Sequence, residues 1–99
     1  MAPAVRILSS AAEDIRRQSD WYAVQSPELK QRFLASVRAA IALARSNPDG
    51  FARIDQDSDI RIVVLRKFPF RLLDASRGEK VVVIAVAHTA REPGRGRPH

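Results

Sequence analysis

The stretch that most constrains this chain is "VVVIAVA", Val81 to Ala87, seven consecutive apolar residues rich in β-branched side chains. It is too short to span a bilayer. It is too β-branched to be read first as helix, and the turn "SRGE" stands before it. A strand that is apolar at every position is expected to have neighbours on both sides and cover on both faces. It is therefore expected to be a central strand, over Lys80 to Ala87.

The rest of the chain must supply that cover. "SPELKQRFLASVRAAIALARSNPDG" begins with a serine suited to cap a helix and a proline suited to its first turn. Leu29, Phe33, Val37, Ala40, Ile41 and Ala44 then recur every three or four residues. Lys30, Arg32 and Arg38 fall largely on the other side. This spacing predicts an amphipathic helix with one buried stripe, closed by Asn-Pro-Asp-Gly. Upstream, Ala11, Ile15, Gln18 and Tyr22 predict another helix over Ala11 to Val24. Ser10 and Glu13 have the spacing of a capping box at its start. Pro27 separates the two helices, so a helical hairpin is expected.

"AVRIL", Ala4 to Leu8, reads as a first strand. Ile60 to Arg66 and Phe70 to Ala75 read as the two strands before the central one. Lys67 to Pro69 is a connector, and Gly78 is available for positive φ in the last turn. Phe51 to Asp59 is expected to be a loop. The order is βααβββ. It implies an α+β fold with an N-terminal strand and a helical hairpin packed on one face of a small, mostly antiparallel sheet. The opposite face is then the natural working surface. With 99 residues, a single domain over residues 1–90 is expected, followed by a basic Pro/Gly-rich tail over 91–99.

Charge is distributed unevenly. The first sixty residues carry eight basic and eight acidic side chains. From Arg61 onward there are nine basic and three acidic ones, so the whole net charge of +6 lies there. An anionic partner for that half is the functional reading, and solubility the structural one. There is no cysteine, which excludes disulfides and thiolate metal sites. Asp55, Asp57 and Asp59 alternate without the glycine and distal glutamate of a calcium loop. The only histidines are His88 and His99, so no metal and no cofactor is expected. No glycine-rich phosphate loop and no serine-nucleophile elbow is present. No signal peptide or membrane span is read, and a cytoplasmic location is expected.

What remains is a basic, strand-borne set: Arg61, Arg66, Lys67, Arg71, His88 and Arg91. Strand alternation places Phe68, Phe70 and Leu72 towards the helices and Arg71 on the opposite face. It also separates Arg61 from Arg66. His88 is expected at the rim, where the central strand ends. Arginines there suit bidentate contacts with phosphates or carboxylates, and a histidine suits proton transfer near neutral pH.

Three pieces taken in order, "DWYAVQSPELKQRFLASVRAAIALARSNPDGF", "IRIVVLRKFPFRLL" and "VVVIAVAHTAREP", resemble the RelE/ParE superfamily of type II toxin–antitoxin toxins. The resemblance covers about Asp20 to Pro93. It implies two N-terminal helices on a small antiparallel sheet and growth inhibition neutralised by a cognate antitoxin. It also implies operator DNA reached only through that antitoxin. RelE-like members cleave mRNA on the ribosome, and ParE-like members inhibit DNA gyrase. The sole tyrosine here is Tyr22, in the first helix, and Thr89 and Ala90 follow His88 where a nuclease-type aromatic is looked for. The resemblance therefore favours a gyrase-directed ParE-like toxin. The alternatives are a RelE-type nuclease, with Arg61, Arg71, His88 and Arg91 as its catalytic candidates, and a non-toxic or degenerate binding module. In the gyrase reading, Arg61, Arg66, Lys67, Arg71 and Arg91 are the expected contacts to target or antitoxin.

Overall fold

A computed structural model of the chain describes residues 3–47 and 50–89. Its elements run β1 (Ala4–Ile7), α1 (Ser9–Gln25), α2 (Pro27–Ser46), β2 (Arg61–Val64), β3 (Phe70–Arg77) and β4 (Lys80–His88). The βααβββ order follows the sequence reading. The strands form one sheet in the order β1-β4-β3-β2. β2, β3 and β4 are antiparallel neighbours, and β1 joins β4 in parallel. The apolar strand is central, as its composition requires.

The helical hairpin turns on a single residue. Ser26 is extended, its amide donates to the Tyr22 carbonyl, and its Oγ accepts from the Glu28 amide at 3.2 Å. It thus ends α1 and caps α2, leaving Pro27 at the first turn, where a missing N–H costs nothing. The stripe Phe33, Val37, Ala40 and Ala44 is buried against the sheet, meeting Val63, Leu65, Phe70, Leu72, Val81, Val83 and Val86. At the β3–β4 turn, Gly78 has φ +62°, open to glycine at no steric cost.

Two expectations are corrected. The first concerns β4. Leu73 pairs with Ala85 but Asp74 pairs with Val83, so Ile84 is an extra residue, a β-bulge. The bulge resets the alternation and puts Val81, Val83 and Val86 together on the helix side. The other face of β4 is only half-buried, at Val82 and Ile84. Seven apolar residues therefore do not mean two covered faces. The second correction concerns Ser10. Helix α1 begins at Ser9, two residues earlier than expected, with Leu8 at its cap and no side-chain capping bond. Ser10 instead donates from Oγ to the Ile84 carbonyl at 2.7 Å, and the Val86 amide donates to Asp14 Oδ2 at 3.0 Å. β1 stops at Val83 in the ladder. Beyond it, polar side chains of α1 satisfy backbone groups that a longer strand would otherwise pair.

Candidate functional site at the basic end of the sheet

β2 ends, β3 begins and β4 finishes at the same end of the sheet, because Val64 pairs with Arg71 and Phe70 with His88. The connector between β2 and β3 closes that end. Its Lys67 has φ +68°, a left-handed conformation that an L side chain adopts at a cost. The bonds that hold it there include Leu65 N–H to the Phe70 carbonyl, Phe70 N–H to the Phe68 carbonyl, Thr89 N–H and Oγ1 to the Pro69 carbonyl, and Ser36 Oγ to the Arg66 carbonyl at 3.1 Å. Arg66 and Lys67 are exposed on this connector. Arg71 is half-buried on the face away from the helices, while Phe70 and Leu72 are buried on the helix side. His88 is half-buried at the strand's end, edge-on to Phe70 with ring centroids 5.1 Å apart. Four of the sequence candidates thus come together at one end of the sheet. Arg91 lies outside the described residues.

Arg61 does not join them. It is 4% exposed and faces the helix side of β2. Its NH2 donates to Asp74 Oδ2 at 2.5 Å and its NH1 to the Asn47 carbonyl at 3.0 Å. Asp74 is fully buried, and burial pushes its carboxyl above the ordinary aspartate value despite the opposing Arg61. Among the described residues Arg61 Nε and Asp74 Oδ1 have no hydrogen-bond partner. A guanidinium this committed ties the sheet to the end of α2 and has no open side for a ligand.

The structure adds a feature that the candidate set omits. Where α1 passes the end of β4 lies a cleft of about 350 Å³. α1 lines it with Arg17, Gln18, Trp21 and Tyr22, and the sheet end with Pro69, Phe70 and His88. Trp21 is 58% exposed. Its ring stands edge-on to Tyr22 at 5.0 Å, and Tyr22 meets Phe33 at 5.3 Å and Phe68 at 5.2 Å. Phe33 continues to Phe68 and Phe70, both at 5.5 Å. The ring contacts run from Trp21 through the core to His88 and so return to the same cleft. Burial raises the Tyr22 pKa above its ordinary 10.0, so the phenol stays protonated at neutral pH. At the cleft's mouth Arg17 donates to Asp14 Oδ1 at 2.8 Å, the carboxylate whose other oxygen takes the Val86 amide. The strand thereby orients the arginine through Asp14. The outward position of Trp21, though not the cleft itself, could be read from the sequence: adjacent aromatics on a helix point about 100° apart. With Tyr22 on the buried stripe, Trp21 had to face outward.

Among the described residues there is no group of three or more side chains able to hold a metal ion, and no helix is long and apolar enough to cross a membrane.

The family model described as "ParE toxin of type II toxin-antitoxin system, parDE" matches residues 5–93. The chain belongs to the ParE toxin family. Two solved structures share the fold of this ParE-family chain. A chain from the chromosomal ParDE toxin–antitoxin system of P. aeruginosa superposes with a TM-score of 0.76 at 17% identity, over 88% of this chain and 96% of that one. A chain from the RelBE2 toxin–antitoxin complex of Mycobacterium tuberculosis superposes with a TM-score of 0.60 at 18% identity, over 89% and 99%. No curated protein sequence matches. The chain is thus a type II toxin of the ParE family, and the fold read from its sequence is the fold of these two structures.

Proposed function

We propose that this toxin arrests growth in the cytoplasm by binding DNA gyrase, and that a cognate antitoxin neutralises it in a hetero-oligomer. The match to the ParE toxin family over residues 5–93 carries this reading. The character of the basic end supports it. The cleft there is lined by an exposed tryptophan, a tyrosine and an arginine, the residue types that dominate protein-binding hot spots. In this reading Arg66, Lys67 and Arg71 contact target or antitoxin, together with Arg91 of the tail. Arg61 supports that surface from inside. Operator DNA is reached through the antitoxin.

The deciding experiment is DNA supercoiling by purified gyrase with increasing toxin. Inhibition that added antitoxin reverses is the expected result. Unimpaired supercoiling at excess toxin, with growth still arrested in cells, would rule gyrase out.

A second reading, ribosome-dependent mRNA cleavage, has one observation in its favour: His88 lines the cleft near Arg17 and at the same sheet end as Arg71. It predicts cut mRNA on toxin-treated ribosomes and loss of cutting in His88→Ala. Intact mRNA would eliminate it.

A further inference from the structure

The Trp21 cleft is an unusual thing for a soluble helix to build. An indole left more than half exposed keeps much of its apolar surface in water. One turn further along the same helix, Val24 is 88% exposed, so the apolar surface extends beyond the cleft. The indole is nevertheless held in place, edge-on to a Tyr22 that is itself clamped between Phe33 and Phe68. A rigid, exposed aromatic beside a concavity costs little entropy when a ligand seats on it.

The charge at the cleft decides what kind of ligand that is. Among the described residues Arg17 is the one arginine or lysine lining it, and one of its donors is already given to Asp14. The rest of the guanidinium faces outward, since the side chain is 60% exposed. The donors that Arg17 keeps beyond Asp14 suit a single carboxylate of the ligand. The described lining of the cleft offers a nucleic-acid backbone one such contact, where several phosphates in succession need neutralising. Beyond the cleft, the connector's exposed Arg66 and Lys67 extend a positive field, which attracts an acidic segment.

We propose that the Trp21 cleft is the docking pocket for an acidic peptide segment of a partner protein. That segment inserts an aromatic or large aliphatic side chain against Trp21 and places an adjacent carboxylate on Arg17. The proposal rests on the reading of this chain as a toxin that acts by binding protein, and it names the chemistry of the partner's contact. It is tested without gyrase, so failure of the supercoiling experiment and failure of this one are separate results.

The chain contains one tryptophan, so its fluorescence and its indole N–H resonance report on this site alone. The intact protein is titrated with three probes: acetyl-Glu-Phe-Glu-amide, acetyl-Lys-Phe-Lys-amide and adenosine monophosphate. A saturable change at Trp21 with the acidic peptide is expected, and none with the basic peptide at equal concentration. Arg17→Gln should weaken the acidic peptide about tenfold, the loss of one charge-assisted hydrogen-bonded contact. Arg53→Gln, an exposed loop arginine outside the cleft, should leave it unchanged. Equal response to both peptides, tighter binding of the nucleotide, or no response to the acidic peptide at millimolar concentration would each overturn the proposal. The comparison of the two peptides on the unmodified chain does not depend on any variant folding.

Discussion

Arg61 and Arg17 are both paired with an aspartate, and the two pairs do opposite things. Arg61 and Asp74 face each other across β2 and β3, almost wholly out of water. Arg17 and Asp14 sit one turn apart on α1, with the arginine exposed at the mouth of a cleft. The buried pair is a structural tie, for a charge removed from water must keep its partner. The exposed pair adds little stability, because solvent screens it. Its effect is to aim a guanidinium. Charge alone therefore does not mark a functional arginine; its remaining exposed donors do.

The comparison breaks most readily at the buried pair. Asp74→Ala leaves Arg61 charged and unpaired in the core, and a loss of about 3–5 kcal/mol is expected by chemical denaturation. Replacing both together, as Arg61→Met with Asp74→Leu, should recover most of that loss, because no buried charge is stranded. A double variant as unstable as the single one would show that the pair does more than neutralise itself. Phe33→Ala should cost a similar amount, about 3–5 kcal/mol, because Phe33 is fully buried and touches Tyr22, Phe68 and Phe70. It should also blue- or red-shift Trp21 emission, since Tyr22 would lose the packing that holds it.

Smaller effects sharpen the contrast at the functional end. Lys67→Gly should stabilise the fold by about 1 kcal/mol, because glycine adopts the positive φ of that position without strain. If it stabilises the protein and also weakens toxicity, the lysine is kept for its contact and not for its backbone. Arg17→Gln should change stability by less than about 0.5 kcal/mol, so its effect on peptide binding is read on a folded protein. The smallest expected signal is alkaline. Tyr22 is the sole tyrosine, and its phenol should titrate above 10.0. The folded state then holds that proton more tightly than the unfolded chain. Stability should be level below pH 10.0 and fall as the pH rises through the window up to the raised value. Phenolate absorbance appearing at the ordinary pKa in the folded protein would place Tyr22 in solvent.

Most of the fold was legible because its signals are local and repeat. The stripe from Phe33 to Ala44, the Ser26-Pro27 junction and the Gly78 turn each state their structure within a few residues. The basic end was legible in part. Alternation correctly put Arg71 opposite Phe70 and Leu72, and the end of the apolar run placed His88 at the rim. Arg61 was misjudged as a surface cation because its partner, Asp74, lies 13 residues away on another strand. Strand parity told which face Arg61 takes but not whether a carboxylate waits there. The exposure of Trp21 follows from helical spacing, but the cleft beside it needs Pro69, Phe70 and His88, which lie far along the chain.

By itself, the sequence determined the element order, the central place of Val81 to Ala87 and the family to which the chain belongs. The order and the strand's place follow from periodicity and turn chemistry, which act between near neighbours; the family follows from the resemblance of three pieces taken in order over about Asp20 to Pro93. Tertiary structure alone decided the bulge at Ile84, the diversion of Ser10 from helix cap to strand carbonyl, the burial of Arg61 and the cleft between α1 and the sheet end. Each depends on which strand's register meets which helix's side chain. That is a contact between residues far apart in the chain, and no local pattern encodes it.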